Sequence, residues 1–146
     1  MDPILERVVT VTEGSGQSAI ADKHSDPSHP PKISGVVAGV TIDFDIDTPN
    51  QGYKPIDKVI KLKVDIPAGP GINAGQQLCV ITFGSQYVDK SGDPLPPMAL
   101  VQDEGGANVP VWMISNLTSS SFPLITLFGL NPSSVARLRI LIIPSN

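Results

Sequence analysis

The feature that most constrains the fold is the spacing of residues that break helices. Fifteen prolines and thirteen glycines are spread along the 146 residues, and both residue types destabilise the interior of an α-helix. The intervals between them leave little room for a helix of ten or more residues, whereas short strands joined by turns fit them well. We therefore expect an all-β protein, and the chain length suits a single domain.

Eight segments have the composition or the alternating pattern of β-strands. They are residues 6–12, 36–47, 58–66, 76–84, 98–102, 109–115, 121–128 and 135–143. Their even spacing is typical of a sandwich or a barrel. The sequence thus predicts an antiparallel, jelly-roll-like β-sandwich of about eight strands at residues 35–146. An N-terminal strand and a flexible arm, residues 1–34, precede it in what is a single domain overall.

Two of these segments alternate between apolar and polar residues. The even positions are apolar and most odd positions polar in residues 40–47 and again in residues 60–66. Such alternation places one face of a strand on the core and the other in water. The turn-rich residues 48–55 lie between the two segments, so we expect a long hairpin.

Three aspartates, Asp43, Asp45 and Asp47, lie on the polar face of the first hairpin strand, about 6.6 Å apart along it. Carboxylate oxygens are ligands that Ca²⁺ prefers, which makes a cation site one interpretation. The other interpretation pairs Asp43 and Asp45 with Lys61 and Lys63 across the hairpin. We favour this second interpretation, because calcium ligands usually come from turns with closer spacing.

The strands of the second half carry apolar side chains on both faces. Strands of this kind need a covering layer on each side, and the sequence predicts no helix to supply one. The cover comes from the N-terminal segment, from the interior of a closed barrel or from neighbouring subunits, and we favour subunits. The predicted homo-oligomer interface comprises Ile81, Phe83, Trp112, Ile114, Ile125, Leu127, Leu141 and Ile143.

The polar residues form no recognisable catalytic or metal-binding motif. The two histidines, His24 and His29, lie with Asp22 and Asp26 in the predicted arm, where a mobile polar loop explains them more simply than a metal site. The chain has no Gly-x-Ser-x-Gly motif, and Cys79 lies within an apolar run that favours burial over reactivity. We therefore predict a protein that is not an enzyme and binds no cofactor.

The net charge of the chain argues against nucleic acid as a partner. A net charge of −4, with ten Lys and Arg spread thinly, offers no basic surface for nucleic acid. The sequence has neither a signal-like N-terminus nor an apolar run long enough to span a membrane, so we expect synthesis in a cytoplasm without membrane insertion. Tyr53 and Tyr87, in predicted turns, are candidates for surface contact with a glycan, whereas Trp112 is expected inside the protein or its interface.

Four elements follow one another in the second half of the chain. A strand ends in Thr-Phe-Gly at residues 80–84, and a Pro-containing turn leads to a strand at residues 96–101. A segment with Ser-Asn and a Thr/Ser run ending in Phe occupies residues 111–122, and residues 138–143 close the chain with an apolar strand. This order resembles the pattern at the distal ends of bacteriophage tail fibres and tailspikes and in virion decoration proteins.

The resemblance implies a small, commonly trimeric β-sandwich of the virion that contacts other virion proteins, caps a fibre or binds host surface structures. The chain departs from the pattern in some seventy additional N-terminal residues and in ending almost directly after the last strand. These departures leave room for a capsid-decoration or spike protein. We expect a non-enzymatic virion structural protein, with a carbohydrate-binding or adhesion module as the alternative.

Overall fold

The structure, a computed structural model, describes residues 22–47, 49–105 and 112–145, with the backbone alone for Gly105, Trp112 and Met113. A 3-10 helix at Lys23–Ser25 precedes eight strands. These are β1 (Lys32–Ser34), β2 (Thr41–Phe44), β3 (Val59–Ile66), β4 (Gln77–Thr82), β5 (Met98–Gly105), β6 (Trp112–Ile114), β7 (Ser121–Thr126) and β8 (Ser134–Ile143).

The strands form two four-stranded sheets. The strand order is β1-β4-β7-β6 in the first sheet and β2-β3-β8-β5 in the second, and every strand pair in both sheets is antiparallel. The prediction of an all-β, antiparallel sandwich of about eight strands is confirmed.

The hydrophobic core lies between the two sheets. Alternate residues of β3 and β8 are fully buried, among them Leu62 and Ile140, and they share one cluster with Phe122 and Leu124 from β7. The strand period of two therefore assigns one face of each sheet to the core. The opposite face of the β2-β3-β8-β5 sheet, called here the outer face, carries the candidate site described below.

The hairpin predicted from alternation is confirmed. Strand β2 pairs with β3 in a register that sets Asp43 opposite Lys63 and Thr41 opposite Asp65. The strand is shorter than predicted, because the backbone turns after Phe44, where the Ile46 amide donates to the Phe44 carbonyl at 3.0 Å.

Part of the predicted flexible arm belongs to the sandwich. Strand β1 pairs with β4, with Ile33 opposite Ile81. A three-residue strand with one apolar residue has no alternating pattern, which is why the sequence did not reveal it. The predicted strand at residues 6–12 lies outside the described residues.

Candidate functional site

The outer face carries a group of exposed apolar side chains at one end. Met98 and Leu100 of β5 are 56% and 57% exposed, and Leu141 and Ile143 of β8 are 37% and 38% exposed. These four residues are called the apolar patch below. A contiguous apolar patch on the surface of a soluble domain often marks an interaction site.

The sheet register makes the apolar patch contiguous. Met98 pairs with Ile143 and Leu100 pairs with Leu141, so the four side chains form a block of two residues on each of two adjacent strands. Val59 of β3, which is half-buried, extends the block to a third strand opposite Leu141. The exposed fractions together amount to about two whole side chains, and burying them would contribute about 3–6 kcal/mol.

Polar residues continue the outer face beyond the apolar patch. Arg139 donates from Nη2 to Gln102 Oε1 at 2.6 Å, and its Nε lies 3.7 Å from Glu104 Oε2. Arg139 is paired across the sheet with Lys61, and Arg137 with Lys63. Like charges in opposed positions repel, so this basic block depends on acidic neighbours.

Two of the three aspartates singled out in the sequence, Asp45 and Asp47, neutralise the positive charges of Arg137 and Lys63. The side chain of Asp45 is 1% exposed and accepts a 2.5 Å hydrogen bond from Arg137 Nη1. Asp47 accepts from Lys63 Nζ at 2.8 Å and lies 3.5 Å from Arg137 Nη2. The Lys63 hydrogen bond lowers the pKa of Asp47, and the Asp45 hydrogen bond raises the pKa of Arg137.

The cation-site interpretation of these aspartates receives no support from the geometry. Asp43 faces Lys63 in the register, but the Lys63 ammonium bonds to Asp47 and the Lys61 ammonium to Asn50. The predicted ion pairs of Asp43 and Asp45 with these lysines are therefore wrong, and Asp45 bonds to Arg137 instead. Among the described residues no group of three or more His, Cys, Asp or Glu side chains is placed to hold a metal ion. Asp45 and Asp47 therefore act as partners of Arg137 and Lys63.

A shallow groove lies beside these charges. It has a volume of about 550 Å³ and is lined by Asp43, Phe44, Ile46, Asp47, Pro55 and Lys63. Ile46, at its rim, is 58% exposed. The described part of the lining combines apolar side chains with the Asp47–Lys63 ion pair and holds no histidine, cysteine or serine.

A histidine and a buried aspartate join the N-terminal residues to the sandwich. His24 Nδ1 donates to Asp57 Oδ2 at 2.7 Å, and the fully buried Asp57 also accepts from the amides of Gly84 at 2.7 Å and Ser85 at 3.2 Å. The His24 ring stacks on Tyr87 with centroids 3.6 Å apart. We call this set of contacts the His24–Asp57 clamp.

The clamp holds two members of a catalytic triad without the third. Within the described residues, Asp57 is the hydrogen-bond partner of the His24 ring, and no hydroxyl group bonds to it. A triad needs the imidazole to activate a nucleophile through its second nitrogen. The geometry therefore indicates a structural contact that fixes residues 22–25 against the start of β3 and the end of β4.

The other polar residues of the predicted arm do not come together in one site. Asp22 accepts from Lys58 Nζ at 2.6 Å and from Ser25 Oγ at 2.8 Å. Burial raises the pKa of Asp22, but these hydrogen bonds outweigh it and the net pKa is lowered. His29 contacts Asp26 at 3.1 Å on the surface.

The two tyrosines predicted as surface contacts are both engaged within the domain. Tyr87 is 2% exposed and lies against His24 and Phe83. Tyr53 is half-buried, and its hydroxyl donates to the Val59 carbonyl at 2.8 Å and accepts from the Lys61 amide at 3.1 Å. Burial raises the pKa of both tyrosines, to about 12 for Tyr53. The prediction that Tyr87 is exposed is wrong, because Tyr87 packs against aromatic side chains from distant segments.

The predicted interface residues divide into buried and exposed members. Ile81 and Phe83 are buried in the core of their own chain, so they leave the candidate interface. Ile114 and Ile125 are half-buried, and Leu127, Leu141 and Ile143 are exposed. Trp112 belongs to β6, opposite Thr126, but its side chain lies outside the described part of the structure.

Two patch residues escaped the sequence prediction. Met98 and Leu100 belong to a run, residues 98–101, in which every side chain is apolar. The same two-faced pattern led to the other interface residues and could have led to these. Cys79, by contrast, is buried as expected.

Comparisons of the chain with family models, with curated proteins and with solved structures found no match. A search of the described residues for a helix long and apolar enough to cross a membrane found none.

Proposed function

We propose that the protein is a non-enzymatic structural module that works by self-association, as a fibre, spike or capsid-decoration component of a virion. The observation that carries the proposal is the apolar patch. Two pairs of large side chains, Met98 with Ile143 and Leu100 with Leu141, face water at one end of a sheet. Association that covers them removes apolar surface from water and is therefore favourable.

A structural role is also supported by the use of the histidines. His24 is bonded to a buried carboxylate and stacked on Tyr87, and His29 is paired with Asp26 at the surface. Both contacts serve the fold of residues 22–31. The buried Cys79, whose pKa burial raises to about 12, is equally unsuited to act as a nucleophile.

The virion setting is supported by the order of residue types in the second half of the chain. The four segments that resemble tail-fibre, tailspike and decoration proteins fall on β4, on β5, on β6 with β7, and on β8. We include in the proposal a homotrimer, contacts with other virion proteins, attachment to a host surface and synthesis in the host cytoplasm. Carbohydrate binding through Tyr53 and Tyr87 is not favoured, because both side chains are engaged within the domain.

Electron microscopy of the purified full chain tests the proposal. We expect discrete trimers, fibres or closed shells, and we expect Leu100→Asp to convert them into single domains. Ile46→Asp is the matched control, since Ile46 is 58% exposed and Leu100 57% but Ile46 lies outside the apolar patch. Isolated monomers of the unmodified chain would contradict the proposal.

A further inference from the structure

We propose that the apolar patch is the docking site for the N-terminal segment of this chain, residues 1–21, through its apolar stretch at residues 4–11. This inference goes beyond the proposed function, since docking can be measured whether or not the chain forms oligomers. It rests on where residue 22 is anchored, on the size of the apolar patch and on the composition of the segment.

The chain enters the described structure beside the apolar patch. Asp22 is bonded to Lys58 Nζ at 2.6 Å, and the Lys58 amide donates to the His24 carbonyl at 3.1 Å. The Lys58 carbonyl accepts from the Ile142 amide at 3.0 Å, between Leu141 and Ile143. Residue 22 is thus held at the end of the sheet that carries the apolar patch.

The segment is long enough to reach the apolar patch. Strand β5 lies two strand positions from β3, a distance of about 10 Å. The ten residues 12–21 span up to about 33 Å when extended. Tethering of this kind gives a high effective concentration of the segment at the site.

The size of the apolar patch indicates that association through it uses the segment, from the same chain or from a neighbouring copy, and not a second identical patch placed face to face. Its exposed apolar surface is on the order of 300 Å², so two patches face to face would bury about 600 Å². Stable protein interfaces bury at least about 1,200 Å² in total. A tethered apolar segment needs less contact, because much of the association cost has already been met by the covalent connection.

The composition of the segment fits this surface. Ile4, Leu5, Val8, Val9 and Val11 provide apolar side chains, and residues 6–12 have the composition of a strand. The acidic Asp2, Glu6 and Glu13 outnumber Arg7, the one basic side chain of residues 2–13, so this stretch carries a net negative charge. The outer face next to the apolar patch carries the basic side chains of Lys61 and Arg139 in opposed positions, so the charges are complementary.

Limited digestion of the full chain with trypsin tests docking directly. Arg7 is the first trypsin site of the sequence, and loss of residues 1–7 is detected by mass spectrometry. We expect Leu100→Asp to speed this cleavage by about tenfold or more, while Ile46→Asp leaves it within about twofold of the parent protein. Equal rates in all three proteins would overturn the inference. Because Leu100 is exposed, the Leu100→Asp variant is expected to fold. Circular dichroism of each variant is the control for folding.

Cross-linking gives a second, independent measurement in the full chain. A short bis-maleimide is expected to join Val9→Cys with Leu100→Cys at least about tenfold more efficiently than Val9→Cys with Ile46→Cys. Equal efficiency for the two pairs would refute docking. Mixing isotope-labelled and unlabelled chains shows whether the cross-link forms within one chain or between copies. An oligomer in which the two cysteine pairs cross-link equally well would support self-association and refute docking. A monomer in which Val9→Cys cross-links preferentially to Leu100→Cys would support docking and refute self-association.

Discussion

Replacing Asp57 with alanine is expected to lower the free energy of unfolding by about 3–5 kcal/mol. The Asp57 carboxylate is fully buried and accepts hydrogen bonds from His24 Nδ1 at 2.7 Å, the Gly84 amide at 2.7 Å and the Ser85 amide at 3.2 Å. Alanine leaves these three donors without their acceptor, and each buried donor without a partner costs about 1–3 kcal/mol. The side chain of His24 is 13% exposed, so its ring can bond to water when Asp57 is absent. The total loss of stability therefore stays below the sum of three full penalties.

Urea unfolding followed by circular dichroism measures this loss. With a denaturant slope of about 2 kcal/mol per molar, the midpoint is expected to fall by about 1.5–2.5 M. Asp65→Ala, an exposed aspartate on β3, is the control and should change the stability by less than about 0.5 kcal/mol. A loss below about 1 kcal/mol for Asp57→Ala would show that the His24–Asp57 clamp does not hold the N-terminal residues as described.

Four further results are expected. Cys79 should resist a thiol reagent in the folded protein and react in urea, because burial raises its pKa to about 12; fast reaction without urea would argue against its placement. Stability should fall as pH rises from 10 towards 12, because burial raises the pKa of Tyr53 from 10.0 to about 12 and the unfolded state releases that proton first; equal free energies of unfolding in urea at about pH 10 and about pH 12 would contradict it. Tyr87→Phe should leave stability unchanged or higher, since the Tyr87 hydroxyl is buried without a hydrogen-bond partner among the described residues; a loss above about 1 kcal/mol would disprove this. Gly84→Ala should lower the melting temperature by several degrees, because the new Cβ would collide with the His29 carbonyl; an unchanged melting temperature would refute the close approach.

The sequence predicts the fold best where one face of a strand is polar. The alternation in residues 40–47 and 60–66 predicts the hairpin of β2 and β3 with odd positions opposite odd positions, and the observed register, which opposes Asp43 and Lys63, has this parity. In the later strands both faces are apolar, so the sequence does not say which face meets the core. Ile81 and Phe83 turned out to face inward, whereas Leu141 and Ile143 face outward.

Patterns of apolar and polar residues do not predict the contacts between segments that are distant in the sequence. The burial of Tyr87 depends on His24, 63 positions earlier in the sequence, and that ring is held by Asp57 from a third segment. No local signal marks Asp57 as buried, because an aspartate before a strand usually belongs to a solvated turn. The apolar patch is also a product of topology, since the pairing of β5 with β8 brings Leu100 beside Leu141.

The mass of the full chain in solution tests the central claim most directly. Light scattering coupled to size exclusion, at micromolar concentration, is expected to give a multiple of 15.4 kDa, with three copies preferred. Leu100→Asp should reduce the mass to that of one chain, and Ile46→Asp should leave it unchanged. A mass of 15.4 kDa for the unmodified protein, or an oligomer that Leu100→Asp does not alter, would contradict self-association through the apolar patch.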